Sequence, residues 1–161
     1  MMSLEEFRNM DASALPIGKL VSMISRGHSI YLNHNLKDYD INATQLHLLF
    51  EISHQNNINQ EKISSRCNIN KGAVARSIRK LEEKGLIVRE IDAENRRQNK
   101  ISLTPEGEDI LNRSIDVFDR WESEVFDDAS DLMDRETLKE VLKEMAVRSI
   151  ELNRGENNEQ K

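Results

Sequence analysis

The chain of 161 residues contains a single cysteine, Cys67, and few aromatic side chains, which make up 4% of its residues. One cysteine excludes an intrachain disulfide, and the histidine and cysteine positions show no close cluster of the kind that binds a metal. Hydrophobic residues reach 37%, which is sufficient for the core of one domain of this length. We expect a largely aliphatic core and neither a metal nor another cofactor.

Long apolar runs are missing as well. No stretch approaches the roughly 20 residues that cross a membrane, and the acidic stretch MMSLEEFRNM lacks the basic, apolar and small-residue order of a secretion signal. We therefore expect a cytoplasmic protein without a membrane partner. The sequence also lacks a glycine-rich phosphate loop, G-x-S-x-G, H-E-x-x-H and a Cys-His pair with a third orienting group, so it is not expected to be an enzyme.

The net charge of −6 argues against a nucleic-acid partner until the charge is divided along the chain. Residues 58–104 contain eleven Lys or Arg and six Asp or Glu, residues 105–161 contain eight and seventeen, and residues 1–57 contain four and six. The central segment therefore concentrates the positive charge that contact with phosphates requires. The acidic remainder would face away from DNA.

The residues from 59 to 107 follow the order of a helix-turn-helix that carries a β-hairpin wing. Two short helical patterns, NQEKISSRCNI and NKGAVARSIRKLEEKGL, precede a strand, IVREI, a polar basic loop, DAENRRQNK, and a second strand, ISLT, before a new helix starts at Pro105. Such a unit offers one helix to the major groove of DNA and a charged arm to the adjacent backbone or minor groove. The predicted fold is mainly α with a small β-hairpin wing.

The second helix of this unit has the pattern of a recognition helix. Asn70 is a good N-cap, and the helix should end at Gly85. Val74, Ile78 and Leu81 form one apolar stripe for the core. The opposite face is basic, which favours contact with DNA here, although a solvated surface is the commoner reason for such charges. The residues predicted to approach base edges or phosphates are Asn70, Lys71, Ala73, Arg76, Arg79 and Lys80.

The hairpin supplies a second candidate contact. Residues 86–91 and 100–103 are short runs typical of strands, and the polar segment between them should be an exposed turn. Arg96 and Arg97 lie at its tip, where guanidinium groups would pair with phosphates or enter a narrow minor groove. The alternative is a hydrated hairpin whose charges only discourage pairing between sheet edges.

Four positions around the wing match a spacing that is fairly specific. Arg97 is followed after five residues by Leu103 and Thr104, and after two more by Gly107. This pattern resembles the wing signature D-x-R-x-x-x-x-x-L-T-x-x-G of the MarR family of winged-helix transcriptional regulators. Asn95 stands where that family has an Asp that helps to brace the wing arginine, so bracing here would be neutral or would fall to Glu94 or Asp92.

The resemblance implies an arrangement for most of the chain. A winged helix-turn-helix over about residues 42–104 would be flanked by dimerisation helices over about 12–36 and 105–152 in a single domain, with a flexible tail at 153–161. The apolar residues between 105 and 126 follow helical spacing, and those from 138 to 145 repeat it after the acidic break DDASDLMD. The implied protein is a homodimer that binds double-stranded DNA and represses a palindromic operator. Intrachain packing of these helices, which would leave a monomer, is the alternative.

The resemblance also implies a small-molecule effector, because many family members bind phenolic or other amphipathic anions between the dimerisation helices and the winged unit. An arginine would pair with the carboxylate of a small aromatic acid, and tyrosine or histidine would flank its ring. An ordinary surface cation or a buried ring with one satisfied polar atom explains each residue equally well. The candidate residues are Arg26, His28, Tyr31, His34 and His47.

Two other functions stay open. Cys67 lies between the two helices of the helix-turn-helix, so its oxidation would disturb the turn and release DNA. Arg66 would lower the pKa of the Cys67 thiol if the two side chains converged. A small buried residue is the alternative role for this cysteine. A winged helix used for protein contact is the other possibility, and it requires a hydrophobic or acidic outward face on the second helix.

Overall fold

The computed structural model describes residues 3–55, 57–91, 99–127 and 129–158 of the chain. Contacts group the chain into two compact units, residues 1–118 and 119–161. Within the described residues it forms eight α-helices and one two-stranded sheet, which confirms the predicted fold class. The helices are α1 Leu4–Arg8, α2 Ile17–Asn35, α3 Ala43–His54, α4 Gln60–Cys67, α5 Lys71–Glu83, α6 Pro105–Ser114, α7 Asp116–Asp127 and α8 Arg135–Asn158, and the strands are β1 Ile87–Ile91 and β2 Asn99–Leu103.

The core of the first unit is aliphatic, as the low aromatic content predicts. The predicted stripe of α5 is confirmed, because Val74, Ile78 and Leu81 are all fully buried. These side chains pack with residues from α2, α3, α4 and the wing, so the core fixes how α5 is oriented. The other members with less than 2% exposure are Leu32, Leu36, Leu46, Leu48, Leu49, Ile52, Ile58, Ile63 and Ile101.

The ends of α5 are set by local hydrogen bonds. The side-chain oxygen of Asn70 accepts from the backbone N–H of Gly72 at 2.8 Å, which is the predicted N-cap. At the other end Gly85 adopts φ +70°, a left-handed conformation that glycine takes without a steric penalty. The N–H of Leu86 then donates to the carbonyl of Leu81 at 3.0 Å, so the chain turns directly from the helix into β1.

The wing is an antiparallel hairpin attached at its base to the segment before α4. Its register pairs Ile87 with Leu103 and Ile91 with Asn99. The N–H of Ile101, which is fully buried, also donates to the carbonyl of Ile58 at 2.9 Å. The base of the hairpin is therefore held on both edges of β2, while residues 92–98 lie outside the described residues.

The segment from 105 to 126 is not one continuous helix, as its apolar spacing suggested, but two helices that meet at Ile115. Ser114 is fully buried, and its hydroxyl donates to the carbonyl of Ile110 at 2.6 Å. Serine that bonds back onto the preceding turn of its own helix tends to bend it. Periodicity alone does not contain this interruption, because the apolar positions on both sides of it keep the same spacing.

The second unit contains most of α7 and all of α8, separated by the predicted acidic break. Asp134 caps α8 by accepting from the N–H of Thr137 at 2.8 Å. Glu122 of α7 forms ion pairs with Arg135 and Lys139 of α8, at 3.5 Å and 2.8 Å. The helix extends to Asn158, beyond residue 153, where the sequence predicted that the tail begins. None of the described helices combines the length and apolar character that crossing a membrane requires.

Candidate nucleic-acid interface

The turn between α4 and α5 is held rigidly by side chains that bond to the backbone. Asn59 caps α4 by accepting from the N–H of Lys62 at 2.8 Å. Asn68 ends the helix in a left-handed conformation with φ 50°, which asparagine tolerates better than most residues. The hydroxyl of Ser64 donates to the carbonyl of Ile69 at 2.7 Å. The sequence thus fixes the position at which α5 begins.

The exposed face of α5 carries most of the residues predicted to contact DNA. Lys71, Arg76, Arg79 and Lys80 are exposed, whereas Ala73 is only half-buried beside the core. Asn70 is also at the surface, but its side-chain oxygen is occupied by the cap. The structure therefore brings the four cations together on one helix, which Asn70 caps.

Carboxylates already hold several of these cations, which the one-dimensional pattern did not reveal. Lys71 pairs with Glu61 at 2.8 Å and Arg79 with Glu83 at 2.9 Å. By contrast, Arg76 forms no ion pair with any residue in the described part of the chain. The second pair has the i, i+4 spacing of neighbours on one helix, whereas the first joins two helices. Other basic residues nearby are held in the same way, Arg66 by Glu51 at 2.6 Å and Lys84 by Asp40 at 3.0 Å.

An ion pair ties the wing to the C-terminal turn of α5. A guanidinium nitrogen of Arg89 in β1 lies 2.6 Å from a carboxylate oxygen of Glu82. Nε of Arg89 is buried and has no hydrogen-bond partner among the described residues. The contact with Glu82 is therefore the main compensation for the partial burial of this guanidinium group. The predicted contacts Arg96 and Arg97, and Asn95 beside them, lie outside the described residues.

Thr104 and Gly107, two positions of the wing signature, form a joint between α5, the wing and α6. The hydroxyl of Thr104 donates to the carbonyl of Gly85 at 2.6 Å and accepts from the N–H of Gly107 at 3.1 Å. A Cβ on Gly107 would lie 1.9 Å from the carbonyl oxygen of Leu86. Only glycine permits this approach of α6 to the end of α5. The signature thus has a structural cause in the attachment of the wing.

The predicted effector residues separate into two groups. The rings of His28 and His47 lie 5.9 Å apart, and that of His47 lies 4.8 Å from Phe118, which the sequence interpretation did not include. Nδ1 of His47 lies 2.7 Å from the carbonyl of Ala43 and must carry a proton to donate to it. Burial, and secondly the neighbouring His47, lower the pKa of His28. Tyr31 packs against the core, while Arg26 and His34 are exposed.

Cys67 is the last residue of α4 and packs partly against the core. Burial, followed by the charge of Glu51, raises the pKa of its thiol, and the charge of Arg66 opposes them with a smaller effect. The expected lowering of the pKa by Arg66 is present, but burial and Glu51 outweigh it, so the net change is upward. A thiol in this state is less nucleophilic than a free cysteine at neutral pH, and the packing fits the alternative role as a small buried residue.

The chain is similar to known proteins in both sequence and structure. A family model described as MarR family matches residues 41–98. The chain is 32% identical over 108 residues to the HTH-type transcriptional regulator SarZ of Staphylococcus saprophyticus, covering 65% of this chain and 72% of SarZ. It is 28% identical over 110 residues to an HTH-type transcriptional regulator of Bacillus cereus, covering 68% of this chain and 73% of that protein. A crystal structure of MarR is 31% identical, with a TM-score of 0.78, covering 92% of this chain and 99% of that one.

Proposed function

Because the chain belongs to the MarR family and is a DNA-binding transcriptional regulator, we propose that it is a homodimeric repressor of a palindromic operator, released by a small aromatic carboxylate or phenolic effector. It would act in the cytoplasm together with the DNA. The observation that carries the proposal is the exposed basic face of α5, fixed by a buried stripe on its opposite side.

The DNA-contacting residues are proposed by their position on this face. Arg76, which no described carboxylate engages, would approach base edges from the middle of α5, and Lys71 would meet a base edge or a phosphate at its first turn. Arg79 and Lys80 would add backbone contacts. Asn70 and Ala73 would lie close to the groove, and Arg96 and Arg97 would hold the wing to the duplex.

Dimerisation is supported by apolar side chains that stay exposed in the single chain. On α2, Ile17, Val21 and Ile24 are 65%, 45% and 55% exposed. On α8, Val141 and Leu142 are 45% and 48% exposed. Large apolar side chains of this kind are commonly buried by a partner, and a second copy would place two recognition helices on a two-fold axis. This symmetry is the reason for proposing a palindrome.

An effector site is proposed around the ring cluster formed by His28, His47 and Phe118. Its aromatic faces and imidazole nitrogens suit a small aromatic acid or a phenol. Arg26 and His34 do not join this cluster in the described structure, so they are not part of the proposal. Thermal-shift measurements with aromatic carboxylates would test it, and an H28A/H47A double variant should lose any stabilisation by the ligand.

Selection of bound sequences from random duplex DNA tests the central proposal. We expect an enriched palindrome with half-sites about one helical turn apart. With that duplex, Arg76→Ala should cost about 1 to 3 kcal/mol of binding free energy and relax base preference. Arg97→Ala should weaken binding to all sequences and reduce the salt dependence. Unchanged binding in both variants would contradict these roles.

The rival function, a winged helix for protein contact, requires a hydrophobic or acidic outward face on α5. Arg76, Arg79 and Lys80 are exposed there instead, which favours DNA. If the selection enriches no sequence, protein contact becomes the better explanation of the winged helix.

A further inference from the structure

Lys71 differs from the other proposed DNA contacts because a carboxylate on a different helix holds its ammonium group. Nζ of Lys71 lies 2.8 Å from Oε1 of Glu61, and the two side chains are 74% and 70% exposed. Lys71 is the first residue of α5 and Glu61 the second residue of α4. The ion pair therefore joins the first turns of the two helices of the helix-turn-helix.

Folding does not explain this ion pair. Pairs between exposed side chains contribute little to stability, because water solvates both charges and two long side chains must be ordered. The hydrogen bond from Lys71 nevertheless lowers the pKa of the Glu61 carboxyl, so the carboxylate is ionised at neutral pH. A permanent negative charge thus stands beside a cation on the surface that is proposed to meet a polyanion.

A DNA phosphate that approaches Lys71 encounters this carboxylate in two ways. It must compete with Oε1 of Glu61 for the same ammonium group, and the carboxylate repels it directly. Arg76 carries no such cost, because no described carboxylate holds it. The free protein therefore presents an open contact in the middle of α5 and an occupied one at its first turn.

We propose that Glu61 is an internal counterion that competes with DNA phosphate for Lys71 and so limits the strength and the salt dependence of DNA binding. The inference rests on the proposed function, since it requires α5 to face the duplex. Glu61 is not itself a contact to DNA in this scheme. It acts chiefly through Lys71, so most of its effect must disappear when Lys71 is removed.

A double-mutant cycle tests the proposal. Binding of the full chain to the selected operator duplex and to a scrambled duplex is measured over a range of salt concentrations for the wild type, Glu61→Gln, Lys71→Met and the double variant. Glu61→Gln should bind both duplexes about three- to fivefold more tightly at low salt. Its plot of log affinity against log salt should be steeper by about 0.9, the value for one more phosphate contact. In the Lys71→Met background, the gain in affinity from Glu61→Gln should fall below half of the gain seen when Lys71 is present.

Glu106→Gln is the matched control, because Glu106 is also an exposed glutamate at the second position of a helix. It changes the net charge equally and should leave the affinity within error. An equal gain from Glu61→Gln with and without Lys71, or no gain at all, overturns the inference while leaving the proposed function intact. If the wild type binds no duplex, the proposed function fails and the inference fails with it.

Discussion

At the scale of single residues, Gly107 is the position where the fold tolerates the least change. A Cβ there would lie 1.9 Å from the carbonyl oxygen of Leu86 and 2.9 Å from its carbonyl carbon, and both atoms are backbone. Gly107→Ala should therefore lower the free energy of unfolding by about 1 to 3 kcal/mol, although alanine is the better helix former. Urea denaturation would measure the change.

The control for this substitution is Gly27→Ala in α2, where a Cβ would meet nothing within 4 Å. That variant should gain up to about 1 kcal/mol, since glycine in a helix interior is unfavourable. A Gly107→Ala protein as stable as the wild type would show that α6 can move away from Leu86 without cost.

Residue patterns predict local structure well and partnerships between elements poorly. The cap at Asn70 and the stripe through Val74 depend on neighbours within one turn of helix, and the structure confirms both. The pair of Lys71 with Glu61 and the meeting of His47 with Phe118 join separate helices. No spacing in the sequence contains those contacts, because they arise only after the helices pack.

At the scale of elements, an ion pair between Arg89 and Glu82 connects the wing to α5. The side chain of Arg89 is 28% exposed and that of Glu82 39%. Glu82→Ala leaves the half-buried guanidinium without its carboxylate, so it should destabilise the protein by about 1 to 2 kcal/mol. The double variant Glu82→Ala with Arg89→Met should be less destabilised than Glu82→Ala alone, because the uncompensated charge is gone.

The next residue provides the control for this prediction. Glu83 pairs with Arg79, but those side chains are 60% and 78% exposed. Glu83→Ala should therefore change the free energy of unfolding by less than about 0.5 kcal/mol. Equal losses for the two glutamates would show that the ion pair at the wing is no stronger than one at the surface.

The interruption between α6 and α7 marks the limit of prediction from sequence at this scale. Apolar positions from Ile110 to Val125 keep one helical period across it, so the pattern predicted a single helix. The interruption arises from the buried hydroxyl of Ser114, which bonds to the carbonyl of Ile110. A serine in this position is also found in unbroken helices, and its preference becomes visible only when its surroundings are known.

At the scale of the whole molecule, His28 makes stability depend on pH. Burial, and secondly His47, lower its pKa below the ordinary value of about 6.5. Below pH 6.5 the unfolded chain binds a proton at His28, whereas the folded chain resists it until its own lower pKa is reached. Because the unfolded state binds more protons in this window, stability should fall as the pH is lowered through it, and should not change from this cause above it.

Urea unfolding at about pH 7.5 and about pH 5.5 would measure this dependence. His28→Phe should lose part of the difference between the two pH values, since the titrating ring is replaced by an apolar one. His34→Gln, which alters an exposed histidine of the same helix, should keep it. An unchanged pH difference in His28→Phe would assign the effect to other groups.

The proposed dimer would bury apolar side chains that α8 exposes in the single chain. Leu142 on α8 is 48% exposed, and Met145 one turn later is 39% exposed. If a second copy covers them, Leu142→Lys places a charge in an apolar interface and should convert a dimer into a folded monomer, as sedimentation velocity would show. Because a monomer engages one half-site, affinity for the palindrome should fall by at least about a hundredfold. The control is Glu144→Lys on the same helix, which removes no apolar contact and should leave the protein dimeric. A wild-type protein that sediments as a monomer would refute the two-fold arrangement.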